Sequence, residues 1–193
     1  MPENIKNIKK IVLSDNWATL HKVTFDYQDS KGNWEPQVRE VYDRGNGAAV
    51  LLYNKESGTV ILTEQFRMPT YFNDNPDGML IEVCAGLLDH YDPETAIKKE
   101  IEEETGYHLS EVEKVMELYM SPGSVTETVH LFIANYTAKD KVSKGGGLAA
   151  EQEDIVVHEY AFAKAYKMIQ TGEIKDAKTV ILLQYLKLQG ILS

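Results

Sequence analysis

Cysteine is almost missing from this chain. Cys84 stands alone, so no internal disulfide can form. Basic charge is also short: 20 Lys and Arg face 30 Asp and Glu, a formal net charge of −10. Such a balance argues against a polyanionic partner such as nucleic acid, and against an anionic membrane surface. It does not argue against a small phosphate ester, because a bound cation can offset local charge. No apolar run approaches the ~20 residues a membrane-spanning helix needs. The opening MPENIKNIKK lacks the pattern of a secretory signal. Together these absences lead to the expectation of a cytoplasmic protein. No internal repeat is visible, and the only low-complexity stretch is Gly145–Gly147.

What is present suffices for one well-packed domain with a small appendage, since 43% of the 193 residues are hydrophobic. Short apolar runs separated by turns predict strands at 9–14, 20–27 and 34–42, a small antiparallel sheet over residues 1–44. Little core comes with such a sheet, so it needs a partner surface. The remainder, 45–193, begins with Ala48–Tyr53, apolar throughout as in a strand buried on both faces. Further strands are expected at 60–67, 79–84, 112–120, 128–136 and 155–160. Helices are expected at 162–171 and 177–189, with Phe162, Tyr166 and Ile169 on one buried stripe and Ile181, Tyr185 and Leu188 on the other. Residues 68–78 and 137–150 read as loops. This order fits an α/β (α+β) fold, a mixed sheet packed between helices.

The stretch Gly86–Tyr107, GLLDHYDPETAIKKEIEEETGY, carries the chemistry. Its second half predicts a helix over 95–105, with Asp92 as cap, Pro93 in the first turn and Gly106 just past the end. Glu100, Glu103 and Glu104 sit at i, i+3 and i+4 and therefore share one side. Like charges so placed repel by a few tenths of a kcal/mol per pair. Either they form a solvated acidic face, or a hard divalent cation such as Mg²⁺ turns the repulsion into ligation.

This stretch resembles the Nudix box, G-x5-E-x7-R-E-U-x-E-E-x-G-U. Gly86 matches the first Gly, Lys99 the Arg position, Glu100 the first Glu of the metal-binding half, Ile101 the apolar position, Glu103 and Glu104 the acidic pair, Gly106 the closing Gly and Tyr107 the last apolar position. In the upstream half, Asp92 replaces Glu and six residues rather than seven separate it from Lys99. REVYDRGNGA, YMSPGSVTE and TGEIKDAKTV extend the likeness over nearly the whole chain, toward the GDP-mannose pyrophosphatase group and, more distantly, ADP-ribose pyrophosphatases.

The resemblance implies a Nudix-type α/β/α sandwich and a homodimeric Mg²⁺-dependent hydrolase of a nucleoside diphosphate sugar. It implies Ala85, Glu100, Glu103, Glu104 and Glu153 as metal ligands, with the four glutamates catalytic and Glu151 the alternative to Glu153. Substrate contacts are implied at Trp17, Val38, Arg39, Glu40, Arg67, Ala85, Gly86, Leu87, Glu104, Glu127, Gln152, Glu153 and Lys178. Arg39 and Glu40 would reach the partner subunit's site. A non-catalytic nucleotide sensor on the same fold is the alternative of another class. The five histidines, at 21, 90, 108, 130 and 158, show no ligand spacing and read as structural. Cys84 reads as a packed residue. Gly145–Gly147 lacks the Lys-Ser/Thr of a phosphate-binding loop and is expected to be a mobile lid or unstructured segment.

Overall fold

The computed structural model describes residues 4–193. The chain divides into two compact units. One takes in the chain up to Asn46 together with Tyr119–Thr128. The other comprises Gly47–Leu118 and Val129–Ser193.

The first unit is a three-stranded antiparallel sheet in the order β1 (Ile5–Asp15), β2 (Thr19–Gln28), β3 (Trp34–Asp43). β1 runs longer than hydropathy suggests, because backbone pairing with β2 already begins at Ile5 and Lys6, ahead of the apolar run. Asn7 adopts φ +55°, which asparagine tolerates, and the β1–β2 register shifts there. Its amide donates to Asp26 Oδ2 at 2.7 Å. The added segment meets this unit through Tyr42, whose N–H donates to the Ser124 carbonyl. Ile8, Ile11, Val12, Leu13 and Val38 are large apolar residues left about half exposed on this small sheet.

In the second unit, a seven-stranded mixed sheet has the main order β10-β5-β4-β9-β8, with β6 beside β5 and β7 beside β4. These strands are β4 (Gly47–Asn54), β5 (Thr59–Phe66), β6 (Met79–Glu82), β7 (Cys84–Leu87), β8 (Glu113–Tyr119), β9 (Thr128–Asn135) and β10 (Val156–Ala161). β4 is the axis, and its residues 47–52 are buried. It pairs in parallel with β9 along one edge. On the other edge it pairs with β7 through Gly47–Val50 and with β5 through Leu52–Asn54. The two-residue period splits its side chains. Ala48, Val50 and Leu52 form a core with Ile97, Ile101, Tyr107 and Tyr136.

Four helices complete this unit: α1 (Met68–Tyr71), α2 (Pro93–Glu100), α3 (Phe162–Thr171) and α4 (Ala177–Leu188). α1 is a single turn inside the expected loop. α2 runs on into a wider π-helical turn, Ile101–Thr105. Such turns insert one extra residue and often sit at functional sites. Both α2 and α4 pack on β4. α4 corrects the expected stripe: it buries Thr179, Leu182, Leu183 and Leu186, while Leu188 is 82% exposed. Apolar residues surround nearly the whole helix, so spacing alone admitted two stripes.

The start of α2 is fixed as expected. Asp92 Oδ1 accepts from Glu94 N and Thr95 N at 3.1 and 3.0 Å, and Pro93 opens the first turn. Asp92→Ala should lower stability by removing this cap, read as a lower denaturant midpoint with unchanged slope. Gly106 ends the π turn at φ +76°.

Candidate active site

Five successive residues at the β6–β7 corner each hold one part of the site. Glu82 grips Arg67. Arg67 Nε lies 3.2 and 3.1 Å from the two carboxylate oxygens, and Nη2 donates to Oε2 at 2.6 Å. The Val83 N–H donates to Thr179 Oγ1 at 2.8 Å. That hydroxyl donates in turn to Asp176 Oδ2, the N-cap of α4. Cys84 and Ala85 face Glu104, and the Ala85 N–H donates to its Oε2 at 3.3 Å. Gly86 completes the corner, because a Cβ there would fall on the Glu100 carboxylate. The close approach explains why the box opens with glycine.

The acidic residues are crowded and partly out of water. Glu104 is 1% exposed. Burial pushes its carboxyl up to about 8, helped by Glu100 and Glu153 and opposed by the Cys84 thiol and the Ala85 amide. Glu100 rises to about 7 through burial, then repulsion from Glu103, Glu153 and Glu151, against the pull of Lys99. Lys99 itself stands over the Tyr91 ring at 4.4 Å. Glu103 is half-buried. Glu153 Oε2 accepts from the Leu148 N–H at 3.0 Å, and its charge reaches both Glu100 and Glu104. The exposed Glu151 bears on Glu100. Gln152, between them, is held at φ +60°.

Among the described residues, no three His, Cys, Asp or Glu side chains form a ready-made cage for an ion. The donor chemistry nevertheless fits a hard dication. Glu100 and Glu104 are carboxylates raised first by burial and then by the acids around them, with Lys99 as local compensation at Glu100. Glu100, Glu104 and Glu153, with the Ala85 carbonyl, are the groups that would hold it.

The glycine run is not a free lid. Gly146 N–H donates to the Glu104 carbonyl at 2.8 Å and Gly147 N–H to that of Glu103 at 3.0 Å. Gly145, Gly146 and Gly147 all have positive φ. A Cβ on Gly145 would collide with the Glu104 backbone. The run therefore packs on the end of the acidic turn, satisfying carbonyls left over where the helix stops. It carries the chain toward Glu153.

Lys178 Nζ pairs with Asp176 Oδ1 at 2.7 Å, and both side chains are largely buried. Burial opposes the Asp176 charge, but Lys178 and Thr179 hold its carboxyl below the usual 3.8. A depressed carboxyl adds stability above the unfolded value and loses it as pH falls through the folded one. Asp176→Asn should therefore melt lower than wild type at pH 7, with the gap closing as pH drops below about 4, measured by calorimetry.

The first unit carries the other expected contacts. Trp17 is 71% exposed, with the Arg44 guanidinium 5.1 Å from its ring centre. Arg44 Nε lies 3.7 Å from Glu127 Oε1. Val38, Arg39 and Glu40 lie together on β3. Arg39 donates to the Val38 carbonyl and to Gln37 Oε1. In the second unit, Leu87 follows Gly86 in β7, part-buried. The histidines pair with acids where they are partnered: His108 with Glu102, His130 with Glu117 and His158 with Glu64. Cys84 is buried, as expected, and burial pushes its thiol well up.

Sequence reading missed Glu82 and Arg44. The signal for Glu82 was a lone acid inside the apolar MLIEVC run. For Arg44 there was none, because its partners are remote in sequence.

A mixed sheet whose central strand is packed by an acidic helix, with Gly86 in β7 making room for its Glu100, defines the class, and the family comparison agrees: residues 43–180 match the NUDIX domain. The chain belongs to the Nudix family, as a pyrophosphatase. Residues 4–42 match the GDP-mannose pyrophosphatase NudK N-terminal domain. It is 55% identical over 192 residues to a GDP-mannose pyrophosphatase of Yersinia enterocolitica, 53% to one of Salmonella arizonae and 52% to one of Escherichia coli O157:H7. Each match covers 100% of both chains. No helix among the described residues is long and apolar enough to cross a membrane.

Proposed function

We propose that this chain hydrolyses the pyrophosphate bond of a nucleoside diphosphate sugar, GDP-mannose, giving GMP and mannose 1-phosphate. The observation that carries the reading is full-length identity above half to GDP-mannose pyrophosphatases, joined to a buried carboxylate cluster at the box. A divalent ion such as Mg²⁺, when bound, would neutralise diphosphate charge and make water nucleophilic near neutral pH. Glu100, Glu104 and Glu153 would supply the oxygens to hold it, with Glu103 as a further ligand. The Ala85 and Cys84 donors fix the Glu104 carboxylate. Arg67 offers its free guanidinium edge to phosphate oxygens, where forked pairing is strong. Lys178 adds a second cation. Of the two late acids, Glu153 is the better base or ligand, since its charge bears on both Glu100 and Glu104.

Trp17, stiffened by Arg44, suits stacking on a purine, and the Glu127 carboxylate suits a guanine N–H edge. Gln152, Val38, Arg39, Glu40, Gly86 and Leu87 complete the proposed substrate contacts. A homodimer through the N-terminal sheet would cover Ile8, Ile11, Val12 and Leu13; sedimentation showing a monomer at micromolar concentration would remove that part. A single buried thiol suits a cytoplasmic setting.

A panel of nucleotide sugars with Mg²⁺ and product detection tests the activity. GDP-mannose should give the highest kcat/KM, at least tenfold above ADP-ribose, equivalent to ~1.4 kcal/mol. Faster turnover of ADP-ribose would reassign the substrate, and tight binding without turnover would make the chain a sensor.

A further inference from the structure

Glu82 is a charged residue at 3% exposure in an otherwise apolar strand. A buried ion pair is not by itself a reason for stability, since removing two charges from water costs about what their attraction returns. Glu82 therefore calls for another explanation, and the geometry supplies one. A guanidinium has two forked edges, Nε with Nη2 and Nη1 with Nη2. Glu82 occupies the first with three contacts between 2.6 and 3.2 Å. The second edge lies outside that fork, and the Arg67 side chain is 38% exposed.

Glu82 is itself immobilised. Its carbonyl accepts from buried Thr63 Oγ1 at 3.3 Å, and the next N–H is held by Thr179. Glu104 and Asp176 are the next acids whose charge reaches Arg67. An arginine left free beside them would be drawn onto these carboxylates, collapsing the space a diphosphate needs.

We propose that Glu82 is a positioning residue for the pyrophosphatase reaction: it locks one edge of Arg67 so that the other is presented to a substrate phosphate. This rests on the hydrolase reading above. Glu82 touches no reacting atom and acts through Arg67 alone.

The test is a double-mutant cycle. Glu82→Gln keeps size and one acceptor but loses the charge and the fork. It should lower kcat/KM for GDP-mannose at least 30-fold, with the Mg²⁺ half-saturation within twofold of wild type. In an Arg67→Ala background the same change should alter kcat/KM less than twofold, because the group it acts through is gone. A folded Glu82→Gln enzyme within threefold of wild type overturns the proposal. So does a loss that persists undiminished without Arg67. Should Glu82→Gln fail to fold, Arg67→Lys decides: lysine keeps the charge but cannot bridge two partners in one plane. A loss as large as that of Arg67→Ala supports the proposal, and activity within threefold of wild type overturns it. If wild type does not turn over GDP-mannose, the hydrolase reading falls separately. Calorimetric affinity for inorganic pyrophosphate then decides, tenfold weakening in Glu82→Gln supporting the positioning role and unchanged affinity overturning it.

Discussion

Glu104→Gln should abolish turnover and, in metal-free protein, raise stability. Loss of activity is expected to reach 10³-fold or more, about 4 kcal/mol of transition-state stabilisation. Glutamine keeps the shape but not the charge that would hold a dication. The stability gain comes from the same charge. Glu104 is 1% exposed, and its folded-state carboxyl sits near 8 against an ordinary 4.5. A carboxyl raised by folding destabilises the native state once pH exceeds the unfolded value, and the cost grows until the folded value is passed. With chelator present, Glu104→Gln should thus match wild type near pH 4 and exceed it by roughly 1–3 kcal/mol at pH 8. Added Mg²⁺ should reverse the order, since it stabilises only the protein that binds it. Denaturant melts with EDTA and with Mg²⁺ read both halves. Turnover within tenfold of wild type would remove this glutamate from the reaction.

Gly86→Ala should disable the enzyme while leaving it folded. The new methyl would land on the Glu100 carboxylate, the far end of a flexible side chain. Backbone collisions, as at Gly106 or Gly145, would instead unseat the fold. At Gly86 the cheap response is rotation of Glu100 out of the corner. The expected result is at least 100-fold lower kcat/KM, with Mg²⁺ half-saturation raised tenfold or more and a stability loss of about 1 kcal/mol. Unchanged Mg²⁺ dependence would show that Glu100 can serve from another rotamer.

Local physics made much of this molecule readable from residues alone. The Asp92 cap, Pro93 and Gly106 define α2 and its continuation, since capping depends on neighbours a few positions away. The acidic spacing at 100, 103 and 104 follows from helical period. The apolar run at 48–53 identified the central strand, found at Gly47–Asn54. The π-helical ending of the acidic helix was not visible, because a turn confined to Ile101–Thr105 is too short for its changed period to show in the hydrophobic pattern.

Sequence by itself determined the central strand, the acidic helix with its cap, and the family through the box. Tertiary structure decided which acids are neighbours in space. It set Glu82 against Arg67, Val83 against Thr179 and the glycine run against the carbonyls of Glu103 and Glu104. It also chose the buried stripe of α4. Helical period and capping act within a few residues, so a string of letters records them. Charge pairing and burial depend on which distant segments the sheet order brings together, and no local pattern encodes that.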